Sequence, residues 1–569
     1  MQRREHPKPQ FERENWLNLN GAWQFEIDDA RSGQERGLFE EGRALSGTIN
    51  VPFCPESRLS GVEHKDFMAA VWYKRKVVLA EDQTKGRVIL HFGAVDYLAT
   101  VYVNGKEAGT HKGGYVSFSL DVTALLRAGE NEIAVYAEDD VRSKVIPSGK
   151  QSERFASYGC MYTRTTGIWQ TVWMEFVPEE YVLSARYLTD IHQGTLTLTA
   201  KVAGKGVLSA EAFWDGAKVG EAACEVTGDT ATLTLKLAET HLWELGKGGL
   251  YDLVLSFGED RVKSYFGLRE AGLRDGKFFL NGKVVFQRLV LDQGFYPDGI
   301  YTAPSDAELL ADVERSMAMG FNGARLHEKV FEERFLYHAD RKGYMVWGEY
   351  PNWGLDESRA DAIYGLLPEW LAEIERDYNH PAIIGWCPLN ETRMVDKNPE
   401  FYKSFLKLVY HATKALDPTR PVIDSSGGAH VETDVFDVHD YDQDPVSFRA
   451  SYARVLSDGV IDGHYFLKDK QQYEAGQPLF MSEYGGTRWA PGEEGWGYGD
   501  APKTPEEVVA RIKGLTDALL ENPAMLGYCY TQLTDVEQEK NGLYTYDRKA
   551  KFDPAVISAI LSRKSVIED

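Results

Sequence analysis

Cysteine is scarce in this chain. Five residues, Cys54, Cys160, Cys224, Cys387 and Cys529, are scattered through 569 with no Cys-x-x-Cys pair. An odd, dispersed set builds neither a disulfide framework nor a thiolate metal site, and fits a reducing compartment. Long apolar runs are missing too. No stretch approaches the ~18 uncharged apolar residues that cross a bilayer, and no apolar segment follows Met1–Lys8, so a cytoplasmic protein without a membrane span is expected. Positive charge is in deficit: 63 Lys and Arg against 87 Asp and Glu give a net charge of −24. That field repels phosphate backbones and anionic membranes, which argues against nucleic acid as a partner.

Familiar catalytic signatures are absent as well. There is no Gly-x-Ser-x-Gly elbow, and His327-Glu328 lacks the second histidine of a zinc-protease helix. Asp440, Asp442 and Asp444 imitate a calcium loop, but its sixth and twelfth positions would be Pro445 and Ser451. Gly495, Gly497 and Gly499 follow no strand, so they do not read as a phosphate loop. Neither a catalytic metal nor a cofactor is expected. A homo-oligomer stays open.

What is present divides by rhythm. Residues 1–180 carry short alternating runs, including Val71–Leu79 and Val101-Tyr102-Val103 entering the Asn104-Gly105 turn, the strongest short hairpin signal. Residues 181–270 continue in clean alternation at Thr195–Ala200, Ala231–Lys236 and Tyr251–Phe257. These predict two successive β-sandwiches. Over 271–569 helical periods (306–319, 331–342, 367–378, 400–416, 505–520) alternate with apolar runs (322–326, 344–349, 382–388, 421–424, 435–439, 479–483, 525–531). That alternation predicts parallel strands with crossover helices, closing as a (β/α)₈ barrel.

Two of those runs stop abruptly at a carboxylate: Ala382-Ile383-Ile384-Gly385-Trp386-Cys387-Pro388-Leu389-Asn390-Glu391, and Leu479-Phe480-Met481-Ser482-Glu483. A strand buried on both faces whose C-terminal end opens onto a site has this form. Taken singly, each is a strand-end surface acid. Taken as a pair they suit hydrolysis of a glycosidic bond, one donating a proton and the other attacking carbon. The acid must then be protonated near neutral pH, and an apolar wall such as Trp386 or Trp347 would raise its pKa.

These residues resemble glycoside hydrolase family 2, the β-galactosidase and β-glucuronidase family, over nearly the whole length. Trp16–Trp23, Phe92–Gly105 and Gly167-Ile168-Trp169-Gln170 look like its sugar-binding jelly roll. Leu280–Lys283 looks like its entry into the barrel, and Asn379–Glu391 with Ser482–Gly485 are the most specific segments. The resemblance implies a multidomain fold: a jelly-roll sandwich (1–180), an immunoglobulin-like sandwich (181–270) and a catalytic barrel (271–569). It implies Glu391 on strand four as acid/base and Glu483 on strand seven as nucleophile. Asn390 would bind a sugar hydroxyl, and Arg325 and Tyr441 would hold Glu483. His327, one residue off the family's Arg-x-Ser-His, and His439 are further substrate-binding candidates. So are Asp292, ending the first strand, and Trp489, as a stacking surface for sugar.

The family's glucuronidases read the sugar carboxylate with Asn-x-Lys, where this chain has Glu539-Lys540-Asn541. A retaining exo-β-glycosidase on a small neutral glycoside is therefore expected, with β-galactoside first. A uronidase using Lys540 or another base, an arabino- or galactofuranosidase, and a catalytically dead sugar-binding protein are the alternatives.

Overall fold

The computed structural model describes residues 3–568. The first region holds two antiparallel sheets. A four-stranded one runs Trp16–Asn18, Val172–Val177, Arg87–Phe92, Phe118–Asp121 in spatial order. A six-stranded one runs Gly47–Val51, Gly21–Ile27, Ala70–Leu79, Gly129–Glu138, Leu98–Val103, Lys106–Lys112. One core of inward residues, among them Trp23, Tyr73, Leu90, Val101, Val135 and Met174, joins them. The Asn104-Gly105 turn forms as expected, both residues at positive φ (52° and 73°). Next come a three-stranded and a four-stranded antiparallel sheet between Tyr181 and Phe266. Their alternation is explicit in Thr230–Lys236, where every second side chain is buried.

The third region is a parallel barrel of strands β1 (Gln287–Asp292), β2 (Gly323–Leu326), β3 (Met345–Glu349), β4 (Ile383–Cys387), β5 (Phe436–Asp440), β6 (Leu479–Gly485) and β7 (Met525–Thr531). Hydrogen bonding orders them β4-β3-β2-β1-β7-β6-β5, every neighbouring pair parallel. All seven are buried along their whole length, which is why their sequences read as unbroken apolar runs.

The expected strand at 421–424 is not a regular one. Residues 421–426 pair with the β4 segment through single bridges, Trp386 to Val422 and Asn390 to Ser426. Pro421 brings no N–H, and Ser425-Ser426-Gly427-Gly428 turns the chain away. On the other side the Asp434 carboxylate replaces a ladder partner, accepting from Val422 N at 2.9 Å. This irregular stave closes the barrel between β4 and β5, so Glu483 stands on the seventh of eight staves.

The helix expected from residue 367 begins at Ala362 and carries Pro368 inside it. Proline leaves the carbonyl four residues back unpaired. Lys112 Nζ, from the first region, reaches that Tyr364 carbonyl at 3.4 Å. The regions share one continuous core: Cys54, Ala94, Tyr115, Tyr162 and Trp169 pack with barrel residues. Among the described residues no helix is long and apolar enough to cross a membrane.

Candidate active site

Both glutamates emerge at the C-terminal end of the barrel, the end where the crossover geometry gathers loops. Glu483 lies within β6, and Glu391 four residues beyond β4. The Glu391 backbone sits at φ 47°, a left-handed conformation that costs a residue with a Cβ about 1–3 kcal/mol. Neighbouring bonds hold it there: Glu391 N donates to the Ser426 carbonyl (2.8 Å), Asn390 N to Asn352 Oδ1 (2.7 Å), and Trp353 Nε1 to the Asn390 carbonyl (3.1 Å). The irregular stave is thus what aims the acid.

Arg325, on β2, is fully buried beneath the pair. Its Nε donates to Glu349 Oε1 (2.5 Å), Nη1 to the Ser482 carbonyl (2.7 Å) and Glu483 Oε1 (3.2 Å), and Nη2 to Asn390 Oδ1 (3.3 Å). A guanidinium so occupied acts as a clamp, and losing one partner of such a buried set costs about 3–5 kcal/mol. The other Glu483 oxygen accepts from Tyr441 Oη, whose ring is stacked on Tyr498. His327 Nδ1 meets Glu349 at 3.1 Å and Glu483 at 3.9 Å. His439 Nδ1 stands between the two acids, 2.9 Å from Glu391 Oε1 and 3.4 Å from Glu483 Oε2. One ligand atom from each of Glu391, His439 and Glu483 fits within 4.8 Å. That is also the spacing of a cation site; Arg325 and Tyr441 each donate to one oxygen of Glu483.

The expected apolar wall is elsewhere. Trp347 stacks on Phe480 inside the barrel, and Trp386 packs edge-on against Trp370 and donates to Asp417. Burial would raise the Glu391 pKa, but His439, Arg393 (3.0 Å from Oε2) and Lys150 outweigh it and bring it down to about 2. These charges favour the ionised acid, the reverse of the sequence expectation. His439 answers in kind: burial opposes its charge, yet Glu483 and Glu391 raise its pKa.

A cavity of about 250 Å³ opens over the pair. Barrel residues Leu291, Gln293, His327, Trp353, Asn390, Tyr441, Tyr498, Thr531 and Glu539 line it, and Lys150 and Cys160 enter from the first region. Lys150 is only 6% exposed. Its ammonium lies 4.2 Å over the Trp353 ring and, among the described residues, makes no hydrogen bond or ion pair. Burial opposes its charge, but Cys160, Glu539, Glu483 and Glu391 raise its pKa. Glu539 accepts from Tyr162 Oη and from Asn541 Nδ2 (2.9 Å). Gln293 Nε2 joins Tyr162 to Gln532 (2.8 and 2.6 Å), which donates on to Asn541 (2.7 Å). This closed ring of polar side chains ties the first region to the C-terminal mouth of the barrel.

The structure gathers Glu391, Glu483, Asn390, Arg325, His327, His439 and Tyr441 around one cavity. Four of the expected residues are not in its lining: Arg325 and His439 lie behind the carboxylates and bond to them, while two others are turned elsewhere. The Asp292 carboxylate turns back to accept from Gly294 N (2.9 Å), and its flanking residues Leu291 and Gln293 face the cavity instead. Trp489 packs against the core, and the tryptophan in the lining is Trp353. Lys540 points away to Glu493 at 3.0 Å. Lys150, Cys160 and Tyr162 escaped the sequence reading. Only the length of the irregular loop 139–166 signals them, since loops of more than about 12–15 residues inside a compact fold are commonly functional.

Known proteins match this arrangement. A model described as Glycosyl hydrolases family 2, sugar binding domain, matches residues 17–151, and one described as Glycosyl hydrolases family 2, TIM barrel domain, matches 273–495. A beta-galactosidase of Thermoanaerobacter pseudethanolicus is 25% identical over 443 residues, 72% of this chain and 54% of its own. A beta-glucuronidase of Rattus norvegicus is 27% identical over 453 residues, 71% of this chain and 67% of its own. The chain spans 44–67% of the length of the curated relatives matched first. The structure of a beta-glucuronidase from Ruminococcus gnavus in complex with D-glucuronic acid superposes with a TM-score of 0.79 at 20% identity, covering 97% of this chain and 98% of that one. At that identity the likeness is one of fold.

Proposed function

The chain belongs to glycoside hydrolase family 2, and from that premise we propose that it hydrolyses the bond of a terminal β-linked sugar with retention of configuration. One observation carries this reading: an oxygen of Glu391 and an oxygen of Glu483 fall within 4.8 Å. Retaining enzymes keep their carboxyl groups about 5–5.5 Å apart, whereas inverting ones leave about 6.5–9.5 Å for a water. Glu483, held by Arg325 and Tyr441, attacks the anomeric carbon. Glu391 protonates the departing oxygen and later takes a proton from the water that releases the sugar. Asn390, its carbonyl oxygen turned to Arg325, keeps its amide for the 2-hydroxyl. The small cavity suits one terminal residue. The division into 1–180, 181–270 and 271–569 belongs to the same proposal, the first region lending Lys150 and Cys160 to the barrel.

For the glycone we place a β-glucuronide-type uronide first, ahead of the β-galactoside favoured by sequence. Relatives named as beta-glucuronidases support this, and so does the unpaired Lys150 ammonium, a base that replaces the displaced Asn-x-Lys. A neutral β-hexoside is the second reading, favoured by the buried Glu539 carboxylate in the wall. The test is kcat/KM for 4-nitrophenyl β-glucuronide against the β-galactoside on one preparation, with NMR of the first-formed product. A β-anomer released first and a uronide preference are expected. An α-anomer first would overturn retention, and a tenfold preference for the galactoside would overturn the uronide.

A further inference from the structure

The hydrogen bonds around His439 fix where a proton must lie. Behind the ring, Asp437 accepts from Ser426 Oγ (2.6 Å), from Gly427 N (3.1 Å) and from Ser482 Oγ, and His430 holds its other oxygen at 3.0 Å. Burial opposes the Asp437 charge, but His430 leads the groups that keep this carboxylate ionised, its pKa at about 2. The single hydroxyl proton of Ser426 is therefore spent on Asp437. Toward His439 Nε2, 3.1 Å away, Ser426 is an acceptor, and Nε2 carries a hydrogen. The other ring nitrogen then faces two carboxylate oxygens, at 2.9 and 3.4 Å. A lone pair there would meet two anions, so one proton must lie between Nδ1 and Glu391. The ring lies close over the Gly427 backbone: a Cβ there, at φ 58°, would fall 2.4 Å from it. Two further charges bear on His439: Arg325, which opposes the proton, and Asp437, which favours it.

We propose that His439, acting through Glu391, stores the proton that the leaving group receives, and that the charge on Glu483 decides which of the two holds it. The inference rests on the retaining glycosidase reading. In the resting site His439 is an imidazolium and Glu391 a carboxylate. As Glu483 forms its bond to the anomeric carbon, its negative charge is consumed and the stronger hold on the imidazolium is lost. The Nδ1 proton passes to Glu391 and on to the departing oxygen, which keeps the electron pair of the broken bond. In the second half, water attacks the same carbon, Glu483 leaves as a carboxylate, and Glu391 takes the water's proton. The restored Glu483 charge draws that proton back to Nδ1. One proton leaves and one returns per turnover. His439 is a positioning residue, since of the two groups that exchange the proton Glu391 is the one that touches the substrate.

The first test needs no substrate. In ¹⁵N-histidine NMR of the full chain, with the His439 signals assigned by their loss in His439→Gln, both ring nitrogens should be protonated at pH 7. In Glu483→Gln, which removes the nucleophile's charge at nearly constant shape, the His439 pKa should fall by about 1–3 units. A singly protonated resting ring, or a titration unmoved by Glu483→Gln, overturns the proposal whether or not any glycoside is turned over. Kinetics give the second test. His439→Gln should lower kcat/KM about 10²–10⁴-fold for a methyl glycoside and less than tenfold for the 2,4-dinitrophenyl one, and should move the basic limb of the pH profile to lower pH. Equal losses on both leaving groups with an unmoved basic limb would mean that His439 only supports the structure. Absence of turnover by the wild type would count against the glycosidase reading alone.

Discussion

Replacing Lys150 with methionine keeps the length and girth of the side chain over Trp353 and deletes only its charge. The ammonium is nearly buried, unpaired and in the cavity wall. If it meets the carboxylate of a uronide there, the contact is a charge-assisted one in a poorly solvated place. Such hydrogen bonds contribute about 1.5–3 kcal/mol, and leaving the substrate carboxylate unpaired adds to the loss. The expected cost is about 2–4 kcal/mol, or roughly 30- to 1,000-fold in kcat/KM for the uronide. A neutral sugar loses at most an ordinary hydrogen bond, about 0.5–1.5 kcal/mol and roughly tenfold. Lys150 also helps to depress the Glu391 pKa, but that effect is common to both substrates and cancels in their ratio. The assay is therefore the ratio of kcat/KM for 4-nitrophenyl β-glucuronide to that for the β-galactoside, in wild type and variant, with circular dichroism to check the fold. The ratio should fall roughly 3- to 400-fold, and Lys150→Arg should recover part of it. A ratio that does not move, or that moves toward the uronide, refutes the assignment of Lys150 as the carboxylate reader.

Other outcomes follow from the same geometry. Glu483→Gln should abolish turnover while leaving the unfolding transition near that of the wild type, because only the nucleophile's charge is lost; activity close to wild type in a folded variant would remove the mechanism. Glu391→Ala should slow poor leaving groups far more than activated aryl ones, with azide restoring part of the turnover by attacking the covalent intermediate; a uniform loss without an azide effect would point to another acid. His430 is held between Asp424 (2.6 Å) and Asp437 (3.0 Å); burial opposes its charge, but these carboxylates raise its pKa to about 10. Its stabilising effect is thus complete below the unfolded value of about 6.5 and fades as pH rises toward 10, so the unfolding free energies of wild type and His430→Gln from urea titrations should differ most near pH 6, by at most about 3–5 kcal/mol, and converge toward pH 10. A gap independent of pH would contradict that charge state.

The barrel was legible because burial on both faces writes a strand as an unbroken apolar run, and because two such runs end in glutamate. Where local pattern and tertiary demand part, the reading slipped. Pro421–Asp424 has strand composition, but its missing N–H and the Ser-Ser-Gly-Gly turn leave it bridged on one side only. Pro368 reads as a helix start, yet it sits inside a helix whose freed carbonyl is met by Lys112 from another region. The charge on Glu391 was misjudged for a related reason. Trp347 and Trp386 flank the strand in sequence, but the barrel buries both away from the cavity, and His439, Arg393 and Lys150 converge instead from three separate segments.

Lys150 shows the limit most sharply. Nothing in Pro147-Ser148-Gly149-Lys150 distinguishes it from any loop lysine. Its position depends on Ser148 and Gly149 N–H groups donating to the Trp353 carbonyl (2.7 and 3.0 Å), and on Gly149 at φ 52°, where a Cβ would lie 2.4 Å from the Glu328 carbonyl. A side chain at 149 would push the loop off the barrel and carry Lys150 out of the cavity. Catalytic carboxylates are fixed by strands, whose sequence states their burial. The group proposed to read the sugar carboxylate is fixed by a loop docked from another region, whose sequence states only that it can bend there. A carboxylate pair of this kind therefore proposes a reaction class from sequence, while a proposal for the sugar needs the assembled wall.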